Sequence, residues 1–126
     1  MQINLSDEAR NAMVGEVASL IDGVDGNGRI ELLSSSGQVL ASLACSNPCA
    51  QPPMNGSVTF NAIAEDPSAK ASGTAVKARI VDAAGGVVFE CDVSDSKGDA
   101  VIRLNTARIV AGGPVRIREF VLVMPA

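Results

Sequence analysis

Ser72-Gly73-Thr74-Ala75-Val76-Lys77-Ala78-Arg79-Ile80-Val81-Asp82-Ala83-Ala84-Gly85-Gly86-Val87-Val88-Phe89-Glu90-Cys91-Asp92-Val93 is the stretch on which the fold turns. Val76, Ala78 and Ile80 alternate with Lys77 and Arg79, the period of a strand with one face buried and one in water. Residues 83–86 supply a small, Gly-ended turn, and Phe89, Cys91 and Val93 answer opposite Glu90 and Asp92. A β-hairpin follows from this pattern.

Short β-type runs with turn signals between them fill most of the rest. Arg29–Leu33 reads as a strand, Ser34-Ser35-Ser36-Gly37 as a turn, and Gln38–Ala44 as the returning strand. The segment Cys45–Gly56 holds Pro48, Pro52 and Pro53 and is expected to be a loop, since proline cannot donate to a sheet ladder. Ser57–Ile63 follows as a strand, Glu65-Asp66-Pro67-Ser68 as a turn, and Val101–Asn105 and Ala107–Ala111 as short pieces. In the last strand Val115 and Ile117 share one parity, whereas Phe120, Leu122 and Met124 take the other. A slip of one around Arg118-Glu119 predicts a β-bulge, or a strand crossing between two sheets.

The N-terminus is different in kind. Ser6 before Asp7 and Glu8 is a helix start, with a hydroxyl to cap free N–H groups and acids at the positive end of the helix dipole. Ala9, Met13, Val17, Leu20 and Ile21 recur at helical spacing, and Asp22-Gly23 ends the run. This apolar stripe either seals one end of the β body or reaches into a neighbouring subunit across a Gly-rich hinge at Gly23–Gly28. The expected fold is mainly β: an antiparallel β-sandwich, jelly-roll-like, of about seven to eight strands with one N-terminal α-helix. Residues 1–28 make the helix and hinge, and residues 29–126 the sandwich domain.

Composition narrows function by exclusion. The 126 residues contain no His, Trp or Tyr. Histidine is the usual acid–base group near neutral pH, and Trp and Tyr dominate interface hot spots and base-stacking platforms. An enzyme is not expected, nor any cofactor or small-molecule substrate. Only Phe60, Phe89 and Phe120 bring aromatic bulk to an Ala- and Val-rich core, which favours further stabilisation by oligomerisation or docking. The net charge of −4 disfavours nucleic acid as the main partner. Charge is uneven, however: Arg103, Arg108, Arg116 and Arg118 face only Glu119 after residue 99, a net +3 against −7 before it. No apolar stretch approaches the ~20 residues of a membrane span. The first residues lack a secretory n-region and h-region, so the chain is expected to remain in the cytoplasm of the cell that makes it, with reduced thiols.

Motifs that invite chemistry lack a needed partner. Gly23–Ser34 matches the middle of an EF-hand loop, but Gly23 stands where a carboxylate is required and Ser34 where a bidentate Glu is required. Cys45, Cys49 and Cys91 cannot complete a zinc site or a Cys–His nucleophile without histidine, and read as incidental thiols, Cys91 as a small core residue. Carboxylate pairs such as Glu65-Asp66 and Glu90/Asp92 sit at turns or on polar faces, unlike glycosidase acids in apolar pockets. No catalytic, cofactor-binding or metal residues are therefore assigned.

Five stretches carry a resemblance: the opening residues 1–14, Ser68–Ala75, Arg79–Asp82, Leu104–Gly113 and Val115–Pro125. Over most of the chain they resemble small structural proteins of tailed phages and prophages. The resemblance implies a virion protein made in the host bacterial cytoplasm, most specifically a capsid decoration (cement) protein. Such a protein binds the major capsid protein from outside and holds neighbouring subunits against internal DNA pressure. In that setting a homo-oligomer is expected, and Ala9, Met13, Val17 and Leu20 on the helix, with Arg103, Arg116 and Arg118, are the expected partner contacts. A head–tail connector or tail component, and a host-surface or glycan-binding sandwich, are the competing expectations.

Overall fold

Asp82 builds the turn of the central hairpin. Its Oδ1 accepts hydrogen bonds from the N–H groups of Ala84 (3.0 Å) and Gly86 (2.8 Å), while Gly85 takes a φ of +94° that glycine adopts without strain. The structure, a computed structural model, describes residues 3–23 and 27–124; the proposed hinge and the EF-hand-like match fall partly on residues 24–26, outside the described residues. The hairpin joins β5 (Lys77–Val81) to β6 (Val87–Asp95). Ala78 pairs with Cys91 and Ile80 with Phe89, and the register then shifts so that Val81 meets Val87. On the other side β5 pairs with β1 (Arg29–Leu33), and β1 with β2 (Val39–Ala44). Inward, Ile30 faces Ile80 and Leu32 faces Ala78; outward, Glu31 sits directly across from Arg79 in a 2.9 Å ion pair.

The remaining strands are β3 (Ser57–Thr59), β4 (Gly73–Thr74), β7 (Ile102–Leu104), β8 (Arg108–Ile109) and β9 (Ile117–Val123). Seven of the nine form one sheet in the order β2-β1-β5-β6-β7-β9-β3, and β4 pairs with β8 separately. The protein is mainly β with one N-terminal helix. The sheet is mixed, because β6 and β7 run parallel where an all-antiparallel arrangement was expected. Residues 96–101 explain this. Asp95 Oδ1 accepts from the N–H groups of Lys97 and Gly98, and Asp92 Oδ1 accepts from Val101 N–H, so the chain doubles back beside β6 before starting β7 in the same direction. The predicted bulge is present: Leu104 pairs with Ile117 and Arg103 with Glu119, leaving Arg118 as the extra residue.

The two ends of this sheet are joined. Residues 57–70 pair with β9 and the segment before it on one edge: Phe60 N–H donates to Phe120 O (3.1 Å), Asp66 and Val115 exchange both backbone bonds (2.9 and 2.8 Å), and Ala69 N–H donates to Gly113 O (2.9 Å). On the other edge they pair with β2 and its extension. Asn61 N–H donates to Cys49 O, Ala64 N–H to Ala44 O and Lys70 N–H to Leu40 O, while Asp66 Oδ2 accepts from Ser42 N–H (3.0 Å). The expected two-layer sandwich is thus a single sheet curled shut around one core. Ile30, Leu32, Leu40, Ile80, Ile102 and Leu104 are fully buried in it, and Phe60 stacks on Phe120 with ring centroids 3.9 Å apart.

Helix α1 (Asp7–Asp22) starts where the caps predict, with Ser6 Oγ accepting from Ala9 N–H (3.1 Å), and stops at Gly23, φ +60°. It packs against its own sheet. The inward stripe is Val14 and Ile21, with Val17 and Ala18 half-buried beside them, whereas Met13 and Leu20 are 44% and 53% exposed. Polar pins set this rotation. Arg10 Nε and Nη2 donate to Met124 O (3.1 and 3.0 Å), Asn11 Oδ1 accepts from Gly56 N–H (2.7 Å), and Asp22 Oδ1 accepts from Cys49 N–H (2.8 Å). Each is a hydrogen bond with at least one partly buried partner, so rotating the helix to bury Met13 and Leu20 would leave those groups unmatched.

Neighbouring helix residues should therefore behave oppositely. Ile21→Ala is expected to cost about 2–5 kcal/mol by cavity formation. Leu20→Ala should stay within about 0.5 kcal/mol, as for an exposed site. Urea denaturation of the two variants checks this.

Candidate interaction surface

The bulge at Arg118 governs what the outer face of the barrel presents. Before it Ile117 points inward; after it Phe120 and Leu122 point inward, so Arg118, Glu119, Val121 and Val123 lie on the water side. Val121 and Val123 lie beside Val101 along a shallow groove of about 240 Å³ that also takes in Asp99, Ala100, Arg103 and Glu119. Arg103 and Glu119, paired in the register, form a 3.1 Å ion pair with side chains 35% and 55% exposed. At that exposure the pair contributes little stability, about 0–1 kcal/mol. Arg116 and Arg118 are exposed, and neither makes an ion pair among the described residues. Of these arginines Arg103 lines the groove with the valines, while Arg118 lines a neighbouring one with residues 60–63 and Phe120.

The helix presents the second surface. Ala9, Met13, Glu16 and Leu20 line its outer side, with Asp7 and Glu8 at its N-terminal end. Its single basic residue, Arg10, is turned inward onto Met124 O, leaving an outward face without a basic residue. Of the residues expected to make contacts, Met13 and Leu20 are exposed and Ala9 partly so, while Val17 is half-buried against the core.

No protein-family model, no curated protein and no solved structure matches the chain. The surfaces are therefore read from their own chemistry. Among the described residues no group of three or more His, Cys, Asp or Glu is arranged to hold a metal ion, and no helix is long and apolar enough to cross a membrane.

The cysteines have a structural place that their spacing did not reveal. Cys45 and Cys49 are buried in the Pro-containing loop on which the C-terminal end of α1 rests, and Cys49 Sγ lies 3.6 Å from Ala18 O as a donor. Gly15 brings the helix backbone close to Pro53 of the same loop, where an added Cβ would sit 3.4 Å from the ring. Burial, reinforced by the Asp22 carboxylate, pushes the Cys49 thiol up to about 12 and the Cys45 thiol to about 11; burial, and then Asp92, pushes Cys91 to about 12. Of the residues that fix helix and barrel closure, Arg10 and Asn11 belong to no sequence motif, and Asp22 and Asp66 read only as a helix end and a turn. Each is a lone polar residue whose partner is a backbone group far along the chain.

These thiols should resist alkylation in the folded protein at pH 8 and react on denaturation. A thiol whose value is raised by folding stabilises the native state fully below its ordinary value of 9.0 and loses that contribution as pH rises through 9 toward the folded value. Stability measured by denaturant titration should fall across that range, and less steeply for Cys49→Ala.

Proposed function

We propose that this chain is a non-enzymatic virion structural protein that decorates a phage capsid, binding the major capsid protein on its outer surface. The observation that carries the reading is the pairing of a closed, fully packed body with two unpartnered aliphatic–charged faces. The body buries no charged residue among those described and leaves no buried side-chain polar atom unmatched. Its outer surface nevertheless exposes Met13 and Leu20, at 44% and 53%, beside Glu16, and Val123, at 56%, in the groove with Asp99, Arg103 and Glu119. Exposed aliphatics rimmed by charge are the usual make-up of protein–protein contact surfaces. The resemblance of residues 1–14, 68–75, 79–82, 104–113 and 115–125 to small phage structural proteins supplies the setting.

Mechanically the reading asks for stiffness and adhesion. A sheet closed on itself has no free edge along its length and resists shear through its hydrogen-bond ladder. Adhesion comes from many modest contacts repeated over a lattice, so weak individual affinity suffices once neighbouring sites are linked.

Purified capsids lacking the protein, mixed with it and sedimented, test this. The expected result is saturable co-sedimentation at a copy number that scales with the major capsid protein, with a higher temperature of capsid rupture. Absence of binding, or binding without added heat resistance, overturns the proposal. Occupancy limited to a single ring at one vertex would assign the protein to the connector or tail instead.

A further inference from the structure

Asn55-Gly56 forms the tip of the turn that leads into β3, and the helix is fastened at the same point. The two residues take φ of +53° and +75°, and Met54 and Ser57 exchange both backbone bonds across them (2.9 and 3.0 Å), a two-residue turn of the kind Asn-Gly favours. Gly56 is buried and held through both of its backbone groups: its N–H donates to Asn11 Oδ1 (2.7 Å), and its carbonyl accepts from Met124 N–H (2.8 Å). Arg10 packs over it, so that a Cβ added at Gly56 would lie 2.5 Å from Arg10 Cζ. Asn55 itself is exposed, next to an equally open Met54, and water reaches its side chain.

We propose that Asn55 is a self-modification site: its side-chain amide deamidates spontaneously through a succinimide, and docking of α1 restrains that reaction through the Asn11–Gly56 hydrogen bond. Glycine after asparagine leaves the attacking nitrogen unhindered by any side chain. The Gly56 nitrogen gives its proton to hydroxide and attacks Asn55 Cγ. A C–N bond forms, and the side-chain nitrogen takes up a proton and leaves as ammonia. Water then opens the ring at either carbonyl, giving aspartate or isoaspartate at position 55.

The first step needs a Gly56 nitrogen that is free to lose its proton and to swing onto the Asn55 side chain. In the folded chain that N–H is engaged by Asn11, and the turn bonds between Met54 and Ser57 fix the peptide plane. The reaction is therefore confined to moments when the start of α1 lifts from the barrel. Such an opening is local and leaves the sheet intact, because no residue between Asp7 and Met13 is buried and the bonds of Arg10 and Asn11 are what fasten this end. Isoaspartate makes the change one-way. It routes the main chain through the side-chain carbon, lengthens the turn by a methylene and moves the Gly56 N–H away from Asn11.

The inference concerns the chain alone and does not rest on the decoration reading. Wild-type protein is incubated at pH 8.5 and 37 °C, folded or in urea, and position 55 is followed by peptide mapping that resolves isoaspartate. The folded chain should convert at least about tenfold more slowly than the unfolded one. Asn11→Ala should convert about three- to tenfold faster than folded wild type, the gain expected from losing one hydrogen bond, whereas Asn11→Asp, which keeps an acceptor oxygen, should stay slow. Ile102→Ala, weakened in the core away from the helix, should keep the wild-type rate while folded. The isoaspartate fraction should exchange its amide hydrogens faster over residues 7–14. Equal rates in folded and unfolded wild type, an Asn11→Ala variant no faster than wild type, an Ile102→Ala variant accelerated as much as Asn11→Ala, or unchanged exchange in the isoaspartate fraction would overturn the proposal.

Discussion

Closure of the sheet by residues 57–70 is the constraint on which the rest of this structure depends. That segment satisfies backbone groups of β2 on one edge and of β9 and the residues before it on the other, and Asp66 serves both at once. Its backbone exchanges two bonds with Val115, and its carboxylate takes Ser42 N–H and Ser68 N–H. Without this seam the β2 edge would expose a row of unmatched carbonyl and N–H groups, a template for uncontrolled pairing. With it, a chain holding only three phenylalanines encloses one continuous core. Leucine and isoleucine supply most of its bulk, with Ile21, Ile30, Leu32, Leu40, Leu43, Ile80, Ile102 and Leu104 fully buried.

The helix is then placed by the same closed body. Arg10 reaches the carbonyl of Met124 beyond the end of β9, Asn11 reaches Gly56 before β3, and Asp22 reaches Cys49 in the loop after β2. All three targets are brought to one end of the barrel by its closure. The apolar stripe along the helix is wide enough to tolerate more than one rotation, and these directional bonds choose among them. In consequence Met13 and Leu20 are held outward, so a residue pattern that looks like core becomes surface. A similar logic runs through β9, where one extra residue at Arg118 changes which side chains meet water.

Much of this fold was legible in the residues. The Ser6 cap, the Gly23 stop, the Asp82 hairpin and the Arg118 bulge are local devices, each made by residues a few positions apart, and their chemistry works within the reach of a single turn or strand. The course of residues 60–70 was not legible, because Glu65-Asp66-Pro67-Ser68 carries the composition of a turn and forms one, while also bridging two strands. The parallel pairing of β6 and β7 was hidden for a related reason: the six residues between Asp95 and Ile102 are too few for the usual crossover, and only the Asp92 and Asp95 side chains make the doubling-back possible. The thiols of Cys45 and Cys49 looked incidental for want of partners in the sequence, yet they pack beneath the end of the helix.

By itself, then, the sequence determined where the helix begins and ends, where most strands lie, and that the body is mainly β; it overran the ends of β3, β7 and β8, ran Gly73–Thr74 and Lys77–Val81 together, and put the exposed Val76 inward. Those outcomes rest on backbone preference and periodicity, interactions among near neighbours that hold whatever the rest of the chain does. Tertiary structure decided that the sheet closes, that one strand pair is parallel and that the helix turns Met13, Glu16 and Leu20 outward. These depend on hydrogen bonds between residues as much as 114 positions apart, such as Arg10 with Met124, whose formation no local pattern records. The surfaces available for binding are the remainder left after those long-range bonds are made.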